Sequence, residues 1–299
     1  MATTALFLST CLVVAVGRRP NTKAQRELRR ETPPYWAYAV NPPEEPRDER
    51  ANSKDKTPQR VPGSSSTFTL KEVADMFSVP DWRPYRHPPM PEIVASGRRP
   101  EVFACGYCHL PNGQGRPENA SLAGLPVAHI IQQMADFRSG LRKSSDPKHK
   151  PVMAMIAYET KTHVAGWMPV ASRPGGMEPI GRRIIEMPEN LERAELRDDA
   201  SGFVAYVPAG SIQKGKALVT GGRNEKTVAC DTCHGADLQG LRDGPSIAGR
   251  SSSYIVRQLF DIQGGARAGA KTQWMNSLVE KLSLDELISI AAYAASLRP

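Results

Sequence analysis

The chain contains the pentapeptide Cys230-Asp231-Thr232-Cys233-His234, and this motif restricts the fold more than any other feature of the sequence. The spacing C-x-x-C-H is typical of c-type haem attachment. Thiols at positions i and i+3 of a helical turn lie on one face, where both can form thioether bonds to one porphyrin. The histidine that follows can bind the iron as its proximal ligand. The motif therefore predicts a covalently bound haem, attached at Cys230 and Cys233, with His234 as proximal ligand.

The same motif occurs 125 residues earlier, as Cys105-Gly106-Tyr107-Cys108-His109. The correspondence continues without a gap, since Leu122-Ala123-Gly124 aligns with Ile247-Ala248-Gly249 at the same offset. Further identities at this offset are Gly97/Gly222, Gly115/Gly240, Gln133/Gln258, Asp136/Asp261, Gly140/Gly265 and Arg142/Arg267. Such a repeat indicates two homologous modules in tandem. We predict a second haem, attached at Cys105 and Cys108 with proximal His109.

A haem iron with one histidine needs a sixth ligand, or it remains open for chemistry. Methionine is the usual sixth ligand in small haem modules of this kind, and thioether ligation raises the reduction potential. In the second module the candidate is Met275, the only methionine after His234, in a predicted loop before the last helix. In the first module Lys150 occupies the equivalent position, and methionines follow it. We predict Met275 and Met155 as the two ligands. The alternatives to Met155 are an open iron or one of the following residues: Met153, Met168, His87, His129, His149 and His163.

Periodicity and capping signals predict a mostly α fold. The second module ends in an amphipathic helix that Ser283 can cap, with Leu287, Ile290, Ala291 and Ala294 as its buried stripe. The first module has no equivalent helix, and we expect the missing closure to come from a helix that Thr69 and Glu72 open, or from the connector between the modules. The other predicted helices, with their apolar faces, are Thr69 to about Phe77; Pro91 to Gly97; His129–Phe137 (Ile130, Ile131, Met134, Phe137); Gly210–Gly222 (Ile212, Leu218, Val219); and Tyr254–Ile262 (Ile255, Leu259, Ile262).

These signals divide the chain into five segments. They are a signal-like apolar segment at 1–17, a disordered tail at 18–66, a first haem domain at 67–163, a connector with short strands at 164–209 and a second haem domain at 210–299. The tail is assigned from its charges and prolines. Trp36 and its flanking tyrosines could dock on a partner within it. Arg142 and Arg267 follow equivalent helix ends, and we expect surface or helix-end charges there, or contacts to haem propionates.

Charge and cysteine usage narrow the choice of partner and compartment. Of the formal charge of +8, residues 1–63 carry +4, and the propionates of two haems would offset the remainder. No basic stripe with interleaved aromatic residues appears, so we expect no nucleic-acid partner. Haem attachment of this type takes place outside the bacterial cytoplasm, which implies export. Residues 5–16 can serve as a cleaved signal core or an uncleaved anchor that touches the membrane, unless the start is misassigned. We predict a periplasmic protein, soluble or N-terminally anchored.

The order C-x-x-C-H, L/I-A-G, Y/H-I-x-x-Q-M/L-x-D, G-x-R and then methionine, present twice, resembles the di-haem cytochromes c of the cytochrome c4 type. The resemblance covers about 90–160 and 210–299. It implies two tandem class I cytochrome c domains with two covalently bound haem c groups. It also implies proximal His109 and His234 and distal Met275, and, less directly, Met155. The long strand-bearing connector and the N-terminal extension depart from the family pattern.

Together these features predict a di-haem carrier of single electrons, not an enzyme, with no catalytic residues. Its partners would be redox proteins: a dehydrogenase, a quinol-oxidising complex or a terminal oxidase. One alternative is a di-haem enzyme of the peroxidase or thiosulfate-oxidising type, which needs one open or unusually ligated iron. Another is a haem subunit docked in a dehydrogenase complex. A zinc or thiol-redox site is disfavoured by the histidine after each C-x-x-C and by the 125-residue separation.

Overall fold

A computed structural model describes residues 32–38, 49–147, 180–222 and 228–299, and the described residues from Pro33 onward belong to one compact unit. The predicted, mostly helical fold is confirmed. The α-helices of the described residues are Leu70–Val73, Glu92–Ala95, Cys105–His109, Val127–Ser139, Leu191–Glu195, Ser211–Gly221, Asp231–His234, Ser252–Gly264, Gln273–Val279 and Leu284–Ser296. Short 3-10 turns occupy Tyr35–Ala37, Glu49–Asn52, Pro84–Arg86 and Ala270–Thr272, and the strands are Ile185–Pro188 and Phe203–Tyr206.

The core of the second module is built on the crossing of its first and last helices, Ser211–Gly221 and Leu284–Ser296. The crossing is close because residue 215 is glycine; a Cβ there would collide with the carbonyl oxygen of Ser289. Ser283 and Glu286 form the reciprocal capping box that begins the last helix. The predicted stripe of that helix is buried: Leu287, Ile290, Ala291 and Ala294. The predicted helix over Tyr254–Ile262 is likewise present, with its apolar face in this core.

Several of the predicted helices differ in extent or in the face they bury. The helix capped by Thr69 ends at Val73 instead of Phe77, because the Asp75 carboxylate accepts the amide hydrogen of Phe77 in a turn. The helix expected from Pro91 to Gly97 spans only Glu92–Ala95. In the Ser211–Gly221 helix the buried residues are Ser211, Gly215 and Val219, so Ile212 is wrongly assigned to the apolar face and lies 42% exposed.

The connector forms a hairpin-like pair of strands and then packs on the first module. The strands are antiparallel, with Ile185 opposite Tyr206. Leu196 lies in the segment that joins the two strands, and its carbonyl oxygen accepts a hydrogen bond from the indole nitrogen of Trp82 at 2.9 Å. This contact lies within an apolar cluster that also contains Val73. The connector and the Leu70–Val73 helix, the two expected closures of the first module, therefore pack together in one cluster. Residues 148–163, where an equivalent of the C-terminal helix would fall, lie outside the described residues.

Part of the segment predicted to be a disordered tail is instead packed into the second module. Trp36, Ala37 and Tyr38 are buried in its core. The Tyr38 hydroxyl donates to the Asp261 carboxylate at 2.7 Å, and the Arg257 guanidinium donates to the Ala37 carbonyl at 2.6 Å. The prediction of disorder is wrong here because the aromatic residues find apolar and polar partners more than 200 positions away in sequence.

The two modules meet along a seam with local twofold symmetry. Its backbone contact is an antiparallel bridge between Arg142 and Arg267. The Lys143 amide donates to the Ala266 carbonyl, and the Ala268 amide donates to the Leu141 carbonyl, both at 2.7 Å. These two hydrogen bonds are equivalent under the 125-residue repeat, because Lys143 corresponds to Ala268 and Leu141 corresponds to Ala266. The repeat in the sequence is therefore also a repeat in space.

Candidate haem sites

Both C-x-x-C-H motifs fold as a single helical turn that ends at the histidine. The turns are Cys105–His109 and Asp231–His234, and both histidines are buried. Each turn ends because the next residue has a positive φ, 64° at Leu110 and 83° at Gly235. The chain then folds back over the motif, and the amides of Gly115 and Gly240 donate to the two histidine carbonyls at 2.8 Å. Both motifs thus present cysteines and histidine from matching backbones.

The two histidine rings are held in the same orientation. Nδ1 of His109 lies 2.7 Å from the carbonyl oxygen of Ala120, and Nδ1 of His234 lies 2.8 Å from that of Pro245. A carbonyl oxygen only accepts, so each Nδ1 carries the hydrogen and each Nε2 keeps a free lone pair. Burial lowers the pKa of both imidazoles, which keeps them neutral. Neutral imidazole with its other nitrogen anchored is the arrangement that metal-ligating histidines use.

Three of the four motif cysteines, Cys105, Cys108 and Cys230, lie in environments that favour the protonated thiol. Burial raises the pKa of Cys105 and Cys108, and that of Cys230 to about 11. Redox-active C-x-x-C pairs have a lowered thiol pKa, so these shifts argue against a thiol-redox site. Within the described ranges, no group of three or more His, Cys, Asp and Glu residues is placed to hold a metal ion.

A cavity beside His109 is lined by the apolar face of the Val127–Ser139 helix, through Ile130, Met134 and Phe137. Ile131, assigned to the same face, is 64% exposed instead, because the helix turns Gln133 and Asp136 inward toward the seam. His129 also lines this cavity, and burial together with Arg267 and Arg142 lowers its pKa to about 4. His129 is therefore a neutral wall residue at the position that Tyr254 occupies in the second module.

Two arginines at the seam provide positive charge, and their hydrogen-bond partners among the described residues are neutral side chains. Arg142 donates to the side-chain oxygens of Gln133 and Gln258, both at 2.9 Å, and Arg267 donates to the same two oxygens at 2.8 and 3.1 Å. Burial and the charge of Arg142 lower the pKa of Arg267 to about 10. Among the described residues, Nε of Arg267 is buried without a hydrogen-bond partner. An anionic group such as a haem propionate fits this surplus of donors.

The candidate sixth ligand of the second module lies on a short helix, Gln273–Val279, and not in the expected loop. Met275 packs against the core of that module, as do Cys230 and Ile247, while its neighbour Trp274 is 82% exposed. Met275 is thus on the side of the helix that faces the core of the second module. Several candidates for the first module, including Met155, lie outside the described residues: Met153, Met155, Met168, His149 and His163.

One residue beside the first motif has no counterpart among the predicted site residues. Arg197, in the connector, donates to the carbonyl oxygen of Tyr107 at 2.9 Å, and its guanidinium carbon lies 3.6 Å from the centroid of the Tyr107 ring. Tyr107 stands between the two motif cysteines. The two residues are 90 positions apart, and no local feature of the sequence predicts that they are in contact.

Comparison with known proteins identifies the family. No protein-family model matches the chain. Cytochrome c-554(548) of Halomonas halodenitrificans is 33% identical over 73 residues, which are 24% of this chain and 88% of that protein. The chain belongs to the c-type cytochromes. Cytochrome c4 of Azotobacter vinelandii is 25% identical over 68% of this chain and 89% of its own length. The thiosulfate dehydrogenase electron acceptor of Stutzerimonas stutzeri (strain A1501) is 27% identical over 67% of this chain and 82% of its own length.

This c-type cytochrome is di-haem and cytochrome c4-like, and its cofactors are two covalently bound haem c groups. A bound haem supplies iron that exchanges one electron at a time. The paired thiols, the anchored neutral histidines and the seam arginines all fit such a group. The cytochrome is an electron-transfer protein. Among the helices of the described residues, none has the length and apolar character needed to cross a membrane.

Proposed function

We propose that this cytochrome is a periplasmic carrier that moves single electrons between redox partners through two haems with filled axial positions. The haem bonds would form at Cys105, Cys108, Cys230 and Cys233. His109 with Met155, and His234 with Met275, would complete the two irons. No bond-making chemistry is assigned to the protein.

The single observation that carries this proposal is the matched setting of His109 and His234. Both rings donate from Nδ1 to a carbonyl eleven residues further along, at 2.7 and 2.8 Å, so both offer Nε2. One such histidine could arise from ordinary packing. Two at equivalent positions, each following a cysteine pair, support one chemical role performed twice. Met275, packed in the core of the second module, supports sulfur as the opposite ligand there.

The proposed partners follow from the resemblance and from the compartment. Covalent haem attachment takes place outside the bacterial cytoplasm, which supports the periplasm. One relative is named a thiosulfate dehydrogenase electron acceptor, which supports a dehydrogenase as electron donor. A quinol-oxidising complex is the second donor class that we propose, and a terminal oxidase is the acceptor.

The test is mass analysis and redox titration of the exported, full-length protein. We expect a mass increase of two haems, two low-spin haem spectra, and near-infrared methionine-to-iron absorption from both. The double variant Cys105→Ser/Cys108→Ser should keep only one haem, whereas Cys11→Ser, which alters the cysteine outside both motifs, should keep two. Recovery of wild-type protein without covalent haem would overturn the proposal.

A second candidate, a di-haem enzyme of the thiosulfate-oxidising type, is favoured by one feature of the first module. Lys150 stands where the second module has Met275, so the sixth ligand of the first iron is displaced from the repeat. A high-spin or bis-histidine first haem, together with turnover of thiosulfate by the purified protein, would support the enzyme. Two methionine-ligated low-spin haems and no turnover would support the carrier.

A further inference from the structure

Resting on the proposed attachment of the first haem at Cys108, we propose that Arg197 sets the reduction potential of that haem by placing a fixed positive charge against its attachment motif. The charge raises the potential of the first haem and leaves that of the second unchanged. In the molecule that holds a single electron, this charge shifts the equilibrium between the two haems toward reduction of the first. The residue belongs to the connector, which is one of the two parts of the chain that depart from the family pattern.

The guanidinium of Arg197 touches the motif at two points. Nη1 donates to the carbonyl oxygen of Tyr107 at 2.9 Å, and the guanidinium carbon lies 3.6 Å from the centroid of the Tyr107 ring. The next residue is Cys108, whose sulfur is the proposed thioether atom. The field of this guanidinium therefore reaches the atom that would join the porphyrin.

The connector holds Arg197 in place from both sides. Before it, Leu196 accepts a hydrogen bond from the Trp82 indole at 2.9 Å. After it, the buried carboxylates of Asp198 and Asp199 pair with the Arg83 guanidinium. Arg197 itself has a φ of 56°, a conformation that the flanking contacts must impose on a non-glycine residue. A charge fixed in this way acts at a constant distance.

The charge of Arg197 is not cancelled locally. Asp198 and Asp199 are balanced by Arg83 and by Arg193, whose Nε lies 2.7 Å from Asp198. In the part of the chain that the structure describes, no carboxylate forms an ion pair with Arg197, and Glu118, whose negative charge also acts on Cys108, is paired with Arg116 at 2.7 Å. Ferric haem carries one more positive charge than ferrous haem, so a neighbouring cation destabilises the ferric state and raises the potential.

The second motif has the opposite electrostatic character. Thr232 replaces Tyr107, so the ring on which Arg197 stacks has no counterpart. Asp231 directly follows Cys230, where the first motif has Gly106, so a negative charge stands within the second attachment motif. The two sites are alike in backbone and in histidine geometry but differ in the charge beside the attachment motif. This difference gives the two haems distinguishable potentials.

The experiment is a spectroelectrochemical titration of the holoprotein with the two haems resolved by their NMR signals. In Arg197→Gln we expect a lower potential for the first haem and an unchanged potential for the second. Arg197→Lys should retain most of the wild-type value, because it keeps the charge. The difference between Gln and Lys variants should shrink at high salt, since Arg197 is only partly buried.

Arg182→Gln is the matched control, because Arg182 is another connector arginine that pairs with Asp285 on the surface at 2.7 Å. It should leave both potentials unchanged. If Gln and Lys variants lower the first potential equally, Arg197 acts by packing and the proposal is wrong. It is also wrong if neither variant shifts that potential. Mass analysis of each variant separates these outcomes from failure of the proposed function, which would appear as missing haem.

Discussion

At the scale of single residues, the two histidines show how little of a ligand's setting lies in the motif itself. C-x-x-C-H predicts which residue faces the iron but not which ring nitrogen is free. That choice is made by the carbonyls of Ala120 and Pro245, eleven residues beyond each histidine, in loops that the 125-residue repeat reproduces. The loop residues differ between the modules, but their backbone carbonyl oxygens occupy the same position relative to the histidine ring. The sequence therefore predicts candidate ligands, whereas the orientation of the two rings depends on backbone geometry that no side chain encodes.

Met275 gives the sharpest prediction at the residue scale. Replacing it with leucine keeps the apolar volume on the Gln273–Val279 helix but removes the sulfur. We expect loss of the near-infrared band of one haem, a high-spin contribution in its spectrum and a lower potential, because thioether ligation stabilises the ferrous state. The other haem should be unaffected.

Trp274→Leu is the control for this change, since it alters the neighbouring residue on the same helix and its side chain is 82% exposed. It should keep both near-infrared bands. If Met275→Leu also keeps both bands, Met275 does not bind iron and the second module needs another ligand.

At the scale of elements, the helices were predictable where local signals and burial agree. The capping boxes at Thr69 and Ser283 are both present, since they depend on residues three apart. The Tyr35–Ala37 turn was not predictable, because its burial depends on partners in the Ser252–Gly264 helix. Ile131 shows a different limit. An assignment from helical periodicity places all the apolar residues on the buried face. In the Val127–Ser139 helix, however, the buried face also contains Gln133 and Asp136.

The crossing of the first and last helices of the second module predicts a specific steric effect. Gly215→Ala would direct a methyl group into the backbone of the Leu284–Ser296 helix at Ser289. We expect destabilisation of about 1–3 kcal/mol, because the helices must separate. Guanidinium unfolding of the holoprotein measures this change.

Gly221→Ala, at the end of the same helix, is the matched control, because a Cβ there meets no atom within 4 Å. It should leave stability unchanged or raise it slightly, since alanine favours helix over glycine. Equal effects of the two substitutions would contradict the close crossing.

At the scale of the whole molecule, the seam explains how a duplicated sequence becomes one compact unit. Its centre is polar: two arginines share the side-chain oxygens of two glutamines, and Arg142 also donates to the Tyr254 hydroxyl at 3.1 Å. The repeat predicts that these residues are equivalent, but not that they meet, because equivalence does not specify a docking geometry. Polar groups at such a seam fix one relative orientation, since any shift leaves buried donors unpaired.

Arg142→Met tests whether the seam couples the modules. The change removes hydrogen bonds to Gln133, Gln258 and Tyr254 and relieves some repulsion with Arg267, so we expect a net loss of about 2 kcal/mol. Because the loss lies between the modules, calorimetry of the holoprotein should show one transition in the wild type and two separated transitions in the variant. Arg138→Met, an exposed arginine on the preceding helix, should keep one transition. A single, unshifted transition in Arg142→Met would mean that the modules are coupled elsewhere, through the connector or the Trp36 turn.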